Sequence, residues 1–536
     1  MEDNDVKVPL FTESDIPIIS EEIVKETLRG LDINKSNVQG DIPNTILNFF
    51  ADLLANPIAH VLNASIRQGC WPDILKMEIV TPVPKKFPPK TVEDLRNISG
   101  LLNLDKIAEK IISKMMVSDM KENIDPSQYA NQKGKLIQHY LVSMIDRILG
   151  ALDKNSKGDT CAVLATLVDW KQAFNRQCPK LGVESFIQNG VRPSLIPLMI
   201  SYFQGRKMKV KWYGVVSAIR ELYGGGPQGS TFGLWEYLSQ SNDNADCVSE
   251  SDRFKFVDDL SFLEIIHLLS VGIASYNIRE HIPSNVATHN QVIPASNLKS
   301  QEQLTQINEW TKKKKMRLNE DKTKNIIFNF SKKYQFTTNL SVNEKEIELV
   351  EEVRLLGTII TKDLKWNKNT KELVRRGYQR MQLLNKAATL SSNIGHLKRI
   401  YQTYVRSVIE QSAVVWHSSL SMKNRKDLER VQKAAVRVIL KNNYKSYKSG
   451  LKVLGLETLE DRRERICLRF AKNCLKDKKL KNLFPIRKSK HNMKKRKVKK
   501  FQTNKTNTKR YEKSSIPYMQ KLLNKENDEK MQMMKD

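Results

Sequence analysis

The sequence predicts an α+β fold. Short apolar or alternating runs, which are typical of β-strands, cluster in the middle of the chain, and amphipathic helical patterns lie on both sides of them. At 536 residues the chain is long enough for roughly three or four structural units. Its 40% hydrophobic residues are enough to fill large buried cores.

The N-terminal part is predicted to be helical. Residues Ile18–Phe50 give two amphipathic helices around a loop, because Gly40 and Pro43 interrupt the helical pattern there. A further helix over Asn56–Gln68 is expected to end at Gly69.

An exposed segment separates these helices from the next one. Residues Thr81–Pro89 are rich in proline and carry basic side chains, which favours an extended, solvated conformation. Residues Leu101–Met120 return to the helical period, so a fourth helix is expected there.

A buried central strand is predicted at Cys161–Trp170, because this run is almost wholly apolar, and Asp169 would mark its end. Three helices and four strands are expected after it, namely helices at Lys180–Asn189, Ser194–Gln204 and Ser230–Ser241, and strands at Lys207–Tyr213, Val215–Tyr223, Arg253–Val257 and Leu260–Ile266. The last two strands would form a hairpin with Asp258-Asp259 as its two-residue connection.

The C-terminal half is predicted to be mainly helical. Two strands, Asn325–Phe330 and Val353–Thr361, are followed by four amphipathic helices at Lys371–Thr389, Gly395–Gln411, Asn424–Leu440 and Thr458–Leu475. The next segment, Arg487–Arg510, has twelve Lys or Arg among its 24 residues and no acid, which predicts disorder until an anion binds. Its run MKKRKVKK is typical both of a nuclear import signal and of an RNA-binding arm.

The charge balance indicates a polyanionic partner. The formal net charge is +31, and cations that contact phosphates release counterions from nucleic acid. A membrane protein is excluded, because the longest apolar run, Phe262–Ala274, is interrupted by Glu264 and His267. The start of the chain lacks the apolar stretch of a secretory signal, and six scattered cysteines favour free thiols. We therefore expect an intracellular protein, nuclear or cytoplasmic or both.

Three carboxylates are candidates for metal binding. Asp169 ends a buried strand, and Asp258 and Asp259 lie in the turn of the predicted hairpin. If these strands are neighbours in one sheet, the three acids meet at one edge, where their repulsion is relieved by cations. Hard oxygen ligands suit Mg²⁺, and two such ions can assist a phosphoryl displacement. The alternative is that Asp-Asp is simply a favourable turn dipeptide.

Other residues upstream of the hairpin suggest nucleotide binding. The loop Gly225–Ser230 is rich in glycine and opens a helix, so its backbone can approach a ligand, and Gln228 can hydrogen-bond a base or sugar. Phe174 would pack beside a bound sugar, or else serve as a core aromatic. Arg96 and the Lys85-Lys86 pair would grip phosphate oxygens, or else form a solvated basic face.

Six segments in order resemble a known motif series. The runs TPVPKKFPPKTVEDLRNISGLLNLDKIAEKII, LVDWKQAF, GGGPQGS, FKFVDDL, LNEDKTKNIIF and RLLGTII resemble the motifs of reverse transcriptases, and most of all those of non-LTR (LINE-like) retrotransposons. The similarity extends from about Ile18 to about Leu475.

This resemblance implies a right-hand polymerase with fingers, palm and thumb, a helical C-terminal region and a basic disordered tail. Asp169, Asp258 and Asp259 would be the palm carboxylates that bind two Mg²⁺ ions, with Mn²⁺ as a substitute. Lys322 would lie near the pyrophosphate leaving group.

The resemblance also implies substrate contacts. Phe174 would be the steric gate against a ribose 2′-hydroxyl, and Gln228 and Gly229 would line the pocket for the templating pair and the incoming nucleotide. Arg96 and Lys85 would belong to the fingers and contact the triphosphate or the template. The implied partners are an RNA template, a DNA primer and deoxynucleoside triphosphates, with no membrane, and the oligomeric state is left open.

The implied domains are an N-terminal helical extension, the fingers, a palm with interleaved fingers elements, a helical thumb with a connecting region, and a basic tail. Their expected bounds are 1–80, 81–160, 161–365, 366–480 and 481–536. The hairpin at Leu356-Gly357 would be the primer grip.

The sequence departs from the family pattern at two positions. Asn175 stands where the family usually has Asp, and Asn97 stands where it usually has Pro. Neither change removes a proposed metal ligand, so activity is expected but a catalytically inactive, retroelement-derived RNA-binding protein is the alternative. About 80 residues precede the fingers motifs, and the chain is therefore expected to lack the endonuclease domain of a full element.

Overall fold

The computed structural model describes residues 6–35, 37–38, 40–154, 161–267, 291–294, 298–331, 334–487 and 500–533. The helices are α1 Glu21–Arg29, α2 Asn44–Phe49, α3 Ala51–Gln68, α4 Asn103–Met120, α5 Ile137–Lys154, α6 Pro179–Gln188, α7 Ile196–Phe203, α8 Thr231–Gln240, α9 Lys299–Lys313, α10 Asn367–Leu390, α11 Ile394–Ile400, α12 Ser407–Ile409, α13 Ala413–Trp416, α14 Met422–Leu440, α15 Tyr447–Leu454, α16 Leu459–Cys474, α17 Lys509–Glu512 and α18 Ser515–Met533.

The strands are β1 Met77–Pro84, β2 Leu95–Leu101, β3 Cys161–Val168, β4 Lys207–Trp212, β5 Val215–Val216, β6 Arg220–Glu221, β7 Arg253–Phe256, β8 Asp259–His267, β9 Gln291–Pro294, β10 Lys324–Phe328, β11 Tyr334–Thr337, β12 Ser341–Val342, β13 Lys345–Glu346, β14 Glu348–Leu349, β15 Glu352–Leu355 and β16 Thr358–Thr361. The chain divides into two compact units. Unit 1 comprises Met1–Asp125, Trp170–Cys247 and Thr305–Asn319, and unit 2 comprises Pro126–Asp169, Val248–Leu304 and Glu320–Asp536.

Unit 1 combines a helical core with one mixed sheet. The sheet has the order β2-β1-β4-β5, and β6 also pairs with β4. Trp71, Tyr202 and Phe232 lie at the centre of the core, where their rings meet edge to face with centroids between 4.9 and 5.6 Å apart. Gly69 ends α3 with a φ of 63°, a left-handed conformation that glycine adopts without strain.

Unit 2 is built on an antiparallel sheet of the order β14-β10-β3-β8-β7, in which the β10–β14 pair alone is parallel. Every residue of β3 is buried, because this central strand has neighbours on both sides and helices against the sheet. One continuous core joins the sheet to α5, to α10–α16 and to α18. The mixed α+β class predicted from the sequence is confirmed.

Most predicted elements are confirmed within one to five residues at each end, including the buried strand at Cys161 and the helix that starts after Ser230. Three needed correction in detail. The run Val215–Tyr223 forms two short strands, β5 and β6, which each pair with β4. The run Val353–Thr361 forms two strands, β15 and β16, with the turn at Leu356-Gly357. The predicted helix over Gly395–Gln411 contains a π-helical stretch, Tyr401–Arg406, between α11 and α12.

The prediction of disorder for Arg487–Arg510 is wrong for its last eleven residues. Phe501 is buried in the core of unit 2, and its backbone N–H donates to Asn524 Oδ1 at 2.9 Å. The carboxylate of Asp153 accepts hydrogen bonds from the backbone of Asn507 and Thr508. The buried ring of Phe501 and the backbone N–H groups of this segment supply these contacts, which a count of charges overlooks. Residues 488–499 lie outside the described part of the chain.

None of the helices in the described ranges has the length and apolar character needed to cross a lipid bilayer. The six cysteines form no disulfide with one another.

Candidate active site

Three of the predicted site residues lie at one edge of the sheet in unit 2. Strand β3 pairs with β8 so that Val168 faces Leu260, and continuing this register sets Asp169 opposite Asp259. On its other side β3 pairs with β10, where Leu167 faces Lys324. Strand β10 begins at Lys324, so Lys322 precedes this strand by two residues. The strand ends therefore bring the acids together as expected, and Lys322 is adjacent in sequence to Thr323, which contacts Asp169.

Asp169 is held in place by the neighbouring strand. Its backbone N–H donates to Oγ1 of Thr323 at 3.2 Å, and Thr323 is buried. Deeper in the sheet, Thr166 Oγ1 donates to Asn325 Oδ1 at 3.0 Å in a fully buried pair. These contacts hold β10 against β3. They thereby fix the position of the half-buried Asp169 at the end of β3.

The hairpin turn differs from the prediction. Phe256 pairs with Asp259, so the two-residue connection is Val257-Asp258, and Asp259 is the first residue of β8. Asp258 is exposed at the turn, and Asp259 is half-buried at the strand end. The prediction was off by one residue because Asp-Asp is a better turn dipeptide than Val-Asp by composition alone.

Val257 adopts a conformation that is unfavourable for a β-branched residue. Its φ is 57°, in the left-handed region, and a non-glycine residue there costs about 1–3 kcal/mol. The buried side chain of Gln128 compensates, because its Oε1 accepts hydrogen bonds from the N–H of Val257 at 3.2 Å and of Ala130 at 2.9 Å. Backbone hydrogen bonds from Lys255 to Ser127 and from Tyr129 to Lys255 attach the same segment to β7.

Gln128 is thus a residue that the sequence reading missed. An isolated glutamine carries no motif of its own, and a pairing that lies over a hundred residues away cannot be read from local patterns.

At this edge of the sheet, acidic side chains lie close enough to one another to change their pKa values. Burial, followed by the nearby Asp258 and Asp169, raises the pKa of Asp259 to about 7. A cation between these groups would relieve the repulsion, and the oxygens are of the hard type that Mg²⁺ prefers. Within the described residues, no three His, Cys, Asp or Glu side chains are already gathered in a metal-coordinating cluster. The donor set therefore fits a magnesium ion in its chemistry.

The glycine-rich loop lies in unit 1, where it is fixed by hydrogen bonds. The backbone of Gln228 accepts from Ser99 N at 2.9 Å, and its side-chain Nε2 donates to Asn175 Oδ1 at 2.8 Å. Gly229 has a φ of 123°, and a Cβ there would lie 3.1 Å from the oxygen of Ser99. A side chain at position 229 would therefore strain the backbone and crowd β2.

Gln177 also holds the glycine-rich loop in place, and this role was not predicted from the sequence. Its buried side chain accepts from Gly226 N at 3.1 Å and donates to the oxygen of Gly233 at 2.9 Å. A Cβ on Gly226 would lie 2.2 Å from Gln177 Oε1. The glycine is thus required by this close approach.

The position of Phe174 lies between the two predicted alternatives, a ring that packs beside a bound sugar and an aromatic residue of the core. It begins a short 3₁₀ turn after β3, and its ring stacks on Tyr237 with centroids 5.1 Å apart. The phenylalanine remains half-buried, whereas Tyr237 is fully buried beneath it. The tyrosine therefore gives Phe174 a rigid base.

Arg96 and Lys85 lie on the β1–β2 hairpin of unit 1. Arg96 is paired with Val83 in the ladder, and its side chain is exposed. Lys85 is also exposed, and its Nζ donates to the backbone oxygen of Glu93 at 2.9 Å. Both cations are therefore accessible to an anionic ligand.

Comparison with known proteins identifies a consistent set of relatives. The chain is 24% identical over 471 residues to the probable RNA-directed DNA polymerase from transposon BS of Drosophila melanogaster, a match that covers 85% of the chain and 48% of the relative. It is 23% identical over 398 residues to the RNA-directed DNA polymerase from mobile element jockey of Drosophila funebris, covering 73% of the chain and 40% of that protein.

A third match, 27% identical over 210 residues, is to the probable RNA-directed DNA polymerase from transposon X-element of Drosophila melanogaster, and it covers 38% of the chain and 22% of the relative. No family model matches the chain. The chain spans about half the length of the BS relative and a smaller share of the others. These matches confirm the resemblance inferred from the motif series, and the chain is a homologue, over most of its length, of the RNA-directed DNA polymerases of Drosophila non-LTR retrotransposons.

Proposed function

We propose that this protein is an RNA-directed DNA polymerase that extends a primer 3′-hydroxyl with deoxynucleotides on an RNA template. The observation that supports it best is the arrangement of Asp169, Asp258 and Asp259 at one sheet edge, in a chain whose relatives carry that activity in their names. A net charge of +31 suits a partner with a phosphate backbone.

The three acids are proposed to hold the metal ions, with Asp169 and Asp259 as ligands on strand ends and Asp258 as a ligand on the turn. When bound, two Mg²⁺ ions would activate the 3′-hydroxyl and stabilise the pyrophosphate leaving group, and Mn²⁺ would substitute for them. Lys322, two residues before β10, would place its ammonium group near the leaving phosphates.

The substrate contacts are proposed for residues of unit 1. Phe174 would exclude a ribose 2′-hydroxyl by its bulk, since Tyr237 prevents the ring from retreating. Gln228 and Gly229 would line the nucleotide pocket, and Arg96 and Lys85 would contact the triphosphate or the template.

In the proposed layout, the β3–β8–β10 sheet is the palm, the β1–β2 hairpin belongs to the fingers, and the helices from α10 onward form the thumb. The domain bounds would be those expected from the sequence, 81–160, 161–365 and 366–480. The β15–β16 hairpin would be the primer grip.

Primer extension on an RNA template with Mg²⁺ tests the proposal. The natural chain should incorporate deoxynucleotides, and Asp258→Asn should lower the rate at least about a hundredfold, because one metal ligand is lost. Glu346→Gln is the matched control, since it removes one exposed carboxylate from β13 and should retain the natural rate.

If the natural chain incorporates no more than Asp258→Asn, the polymerase assignment is wrong. Tight RNA binding by both proteins, without incorporation, would instead favour the inactive, retroelement-derived RNA-binding protein. The departure at Asn175 gives that alternative its weight.

A further inference from the structure

A cavity of about 340 Å³ lies within unit 2, and its lining includes none of the three acids at the sheet edge. Apolar side chains form part of its wall, and they are Ile145, Leu149, Leu364, Trp366, Val415 and Leu420. The remaining lining residues are polar or basic, and they are Lys365, Asn367, Ser419, Ser421, Lys509, Arg510, Lys513 and Ser514. No acidic residue belongs to this lining.

Three long helices begin at this cavity. Helix α10, of 24 residues, starts at Asn367, and helix α14, of 19 residues, starts directly after Ser421. Helix α18, also of 19 residues, starts directly after Ser514. Each helix N-terminus carries unsatisfied N–H groups and about half a positive charge, so together they favour an anion.

The start of α10 is especially open to a ligand. Trp366 occupies the N-cap position with a φ of 62°, and it makes no side-chain capping hydrogen bond. Asn424 Nδ2 donates to Asn367 Oδ1 at 2.9 Å, which holds the first turns of α10 and α14 together. The two N-termini are therefore fixed relative to each other.

Two buried polar atoms in the wall have no hydrogen-bond partner among the described residues. One is Oγ of Ser514, whose residue is 2% exposed, and the other is Nη1 of Arg510. A buried polar atom without a hydrogen-bond partner is unfavourable, and both of these atoms can donate to an anion in the cavity. Together with the three helix N-termini, these two unsatisfied atoms indicate that the cavity binds a ligand.

The basic side chains complete the site. Lys509 and Lys513 are exposed at its rim, and neither forms an ion pair in the part of the chain that the structure describes. Lys365 pairs with Asp363 at 3.4 Å, so it is partly neutralised. The charge of the cavity is still positive, because the four cations Lys365, Lys509, Arg510 and Lys513 outnumber the two acids beside them, Asp363 and Glu512.

We propose that this cavity binds a phosphate group. A phosphate offers several acceptor oxygens to the helix N–H groups, to Ser514 and to Arg510 at once, and its charge matches the cations. The cavity has room for more than the phosphate, and its apolar wall would accommodate the sugar or base of one nucleotide. The phosphate could come from a nucleic-acid strand or from a free nucleotide or pyrophosphate.

Calorimetric titration of the full chain tests this site. Pyrophosphate and uridine monophosphate serve as free probes, and a short single-stranded RNA serves as the strand probe. The double variant Lys509→Gln/Lys513→Gln should weaken binding at least about tenfold, the loss expected for a charge-assisted hydrogen bond. The matched control is Lys448→Gln/Lys452→Gln, which removes the same charge from exposed positions on α15 and should leave binding unchanged.

A second variant guards against a general effect of charge. Ser514→Ala removes the buried hydroxyl without changing the net charge, so it should fold but lose one hydrogen bond to a phosphate. We expect this variant to bind pyrophosphate about tenfold more weakly than the natural chain. Unchanged melting temperature would show that the fold is intact.

The outcomes separate the two phosphate sources. Loss of RNA binding in the variants, with competition by pyrophosphate, supports a strand phosphate, whereas loss of free-probe binding alone supports a free nucleotide or pyrophosphate. The proposal is overturned if no probe binds the natural chain, or if both lysine pairs weaken binding equally. Asp258→Asn should bind these probes as the natural chain does, so failure of this site and failure of the polymerase assignment are distinguishable.

Discussion

Gln128 positions the hairpin turn that carries Asp258. Its side chain accepts from the N–H of Val257, whose left-handed conformation needs external support. We expect Gln128→Ala to lower primer extension about tenfold or more, because the turn would relax and Asp258 would shift. The measurement is single-turnover extension at saturating nucleotide, which reports the chemical step.

A rescue variant separates positioning from general stability. Gln128→Glu keeps an oxygen that can accept from Val257 and Ala130, so it should recover most of the activity. If Gln128→Ala and Gln128→Glu lose activity equally at unchanged melting temperature, the hydrogen bond to Val257 has no part in the reaction.

Phe174 offers a test of nucleotide selection. Its ring is half-buried on Tyr237, so it is neither a full core residue nor a free surface side chain. We expect Phe174→Ala to raise ribonucleotide over deoxyribonucleotide incorporation at least about tenfold, because the missing ring leaves room for the 2′-hydroxyl. The ratio of kcat/KM for the two nucleotides is the readout, since a general loss of activity cancels in it. An unchanged ratio would identify Phe174 as a packing residue.

The buried carboxyl group of Glu236 should make the free energy of unfolding depend on pH. It is fully buried in α8, neither carboxylate oxygen has a hydrogen-bond partner in the described ranges, and burial raises its pKa from 4.5 to about 8. Between these pKa values the unfolded chain releases the proton while the folded chain keeps it. The free energy of unfolding therefore falls as pH rises from about 4.5 to about 8, and then levels off.

Glu236→Gln should remove this contribution. The variant should gain stability relative to the natural chain as pH rises, by up to roughly 5 kcal/mol above pH 8. Urea unfolding at about pH 5 and about pH 8.5 measures the change, and the other buried acids cancel in the comparison. An equal difference at both pH values would contradict a neutral Glu236.

For the helices and strands, the sequence predicted the type and position of each element better than it predicted which elements pair with each other. The run at Cys161 is apolar enough to be identified as a central strand, and Ser230 is a plain helix cap. The pairing of β3 with β8 and β10, by contrast, depends on residues about 90 to 160 positions apart, and no local pattern specifies that register. The sequence could therefore identify the acids and the edge at which they would meet, but it could not establish that the strands carrying them are neighbours.

One such long-range connection ties α5 to the C-terminal segment. Asp153 is buried, and its carboxylate accepts from Asn507 N at 2.8 Å and from Thr508 N and Oγ1 at 2.7 and 2.6 Å. Asp153→Ala would leave these donors unsatisfied, which we expect to cost about 2–4 kcal/mol of the free energy of unfolding. Urea denaturation measures it.

A less disruptive change at the same position provides the comparison. Asp153→Asn keeps the shape and one acceptor oxygen, so it should lose less than Asp153→Ala. If neither variant changes the unfolding midpoint, residues 507–508 contribute nothing to the stability of unit 2.

For the whole molecule, a high density of basic residues in a segment does not decide whether that segment packs into a core. Composition correctly indicated an excess of cations, but it wrongly made all of Arg487–Arg510 a disordered tail, since Phe501 and the residues after it belong to a core. The consequence for experiments is that deleting this segment would damage the fold of unit 2. Neutral substitutions are therefore the right test of its charge.

The salt dependence of RNA binding gives that test. Replacing Lys494, Lys495, Lys497 and Lys499 by Gln removes four charges from the densest basic run in the chain. If these lysines contact phosphates, the slope of log K against log salt concentration should become less steep by up to about 3, because fewer counterions are released from a single strand. Binding at several salt concentrations, followed by fluorescence anisotropy, measures the slope.

The matched control removes four exposed lysines elsewhere, namely Lys386, Lys445, Lys448 and Lys452. If the basic run binds RNA directly, the run variant should lose more of the slope than the control, although both carry the same net charge. Equal slopes in the two variants would mean that the overall charge of the molecule attracts RNA and that the run makes no contact of its own. The comparison therefore distinguishes a local binding arm from a general electrostatic field.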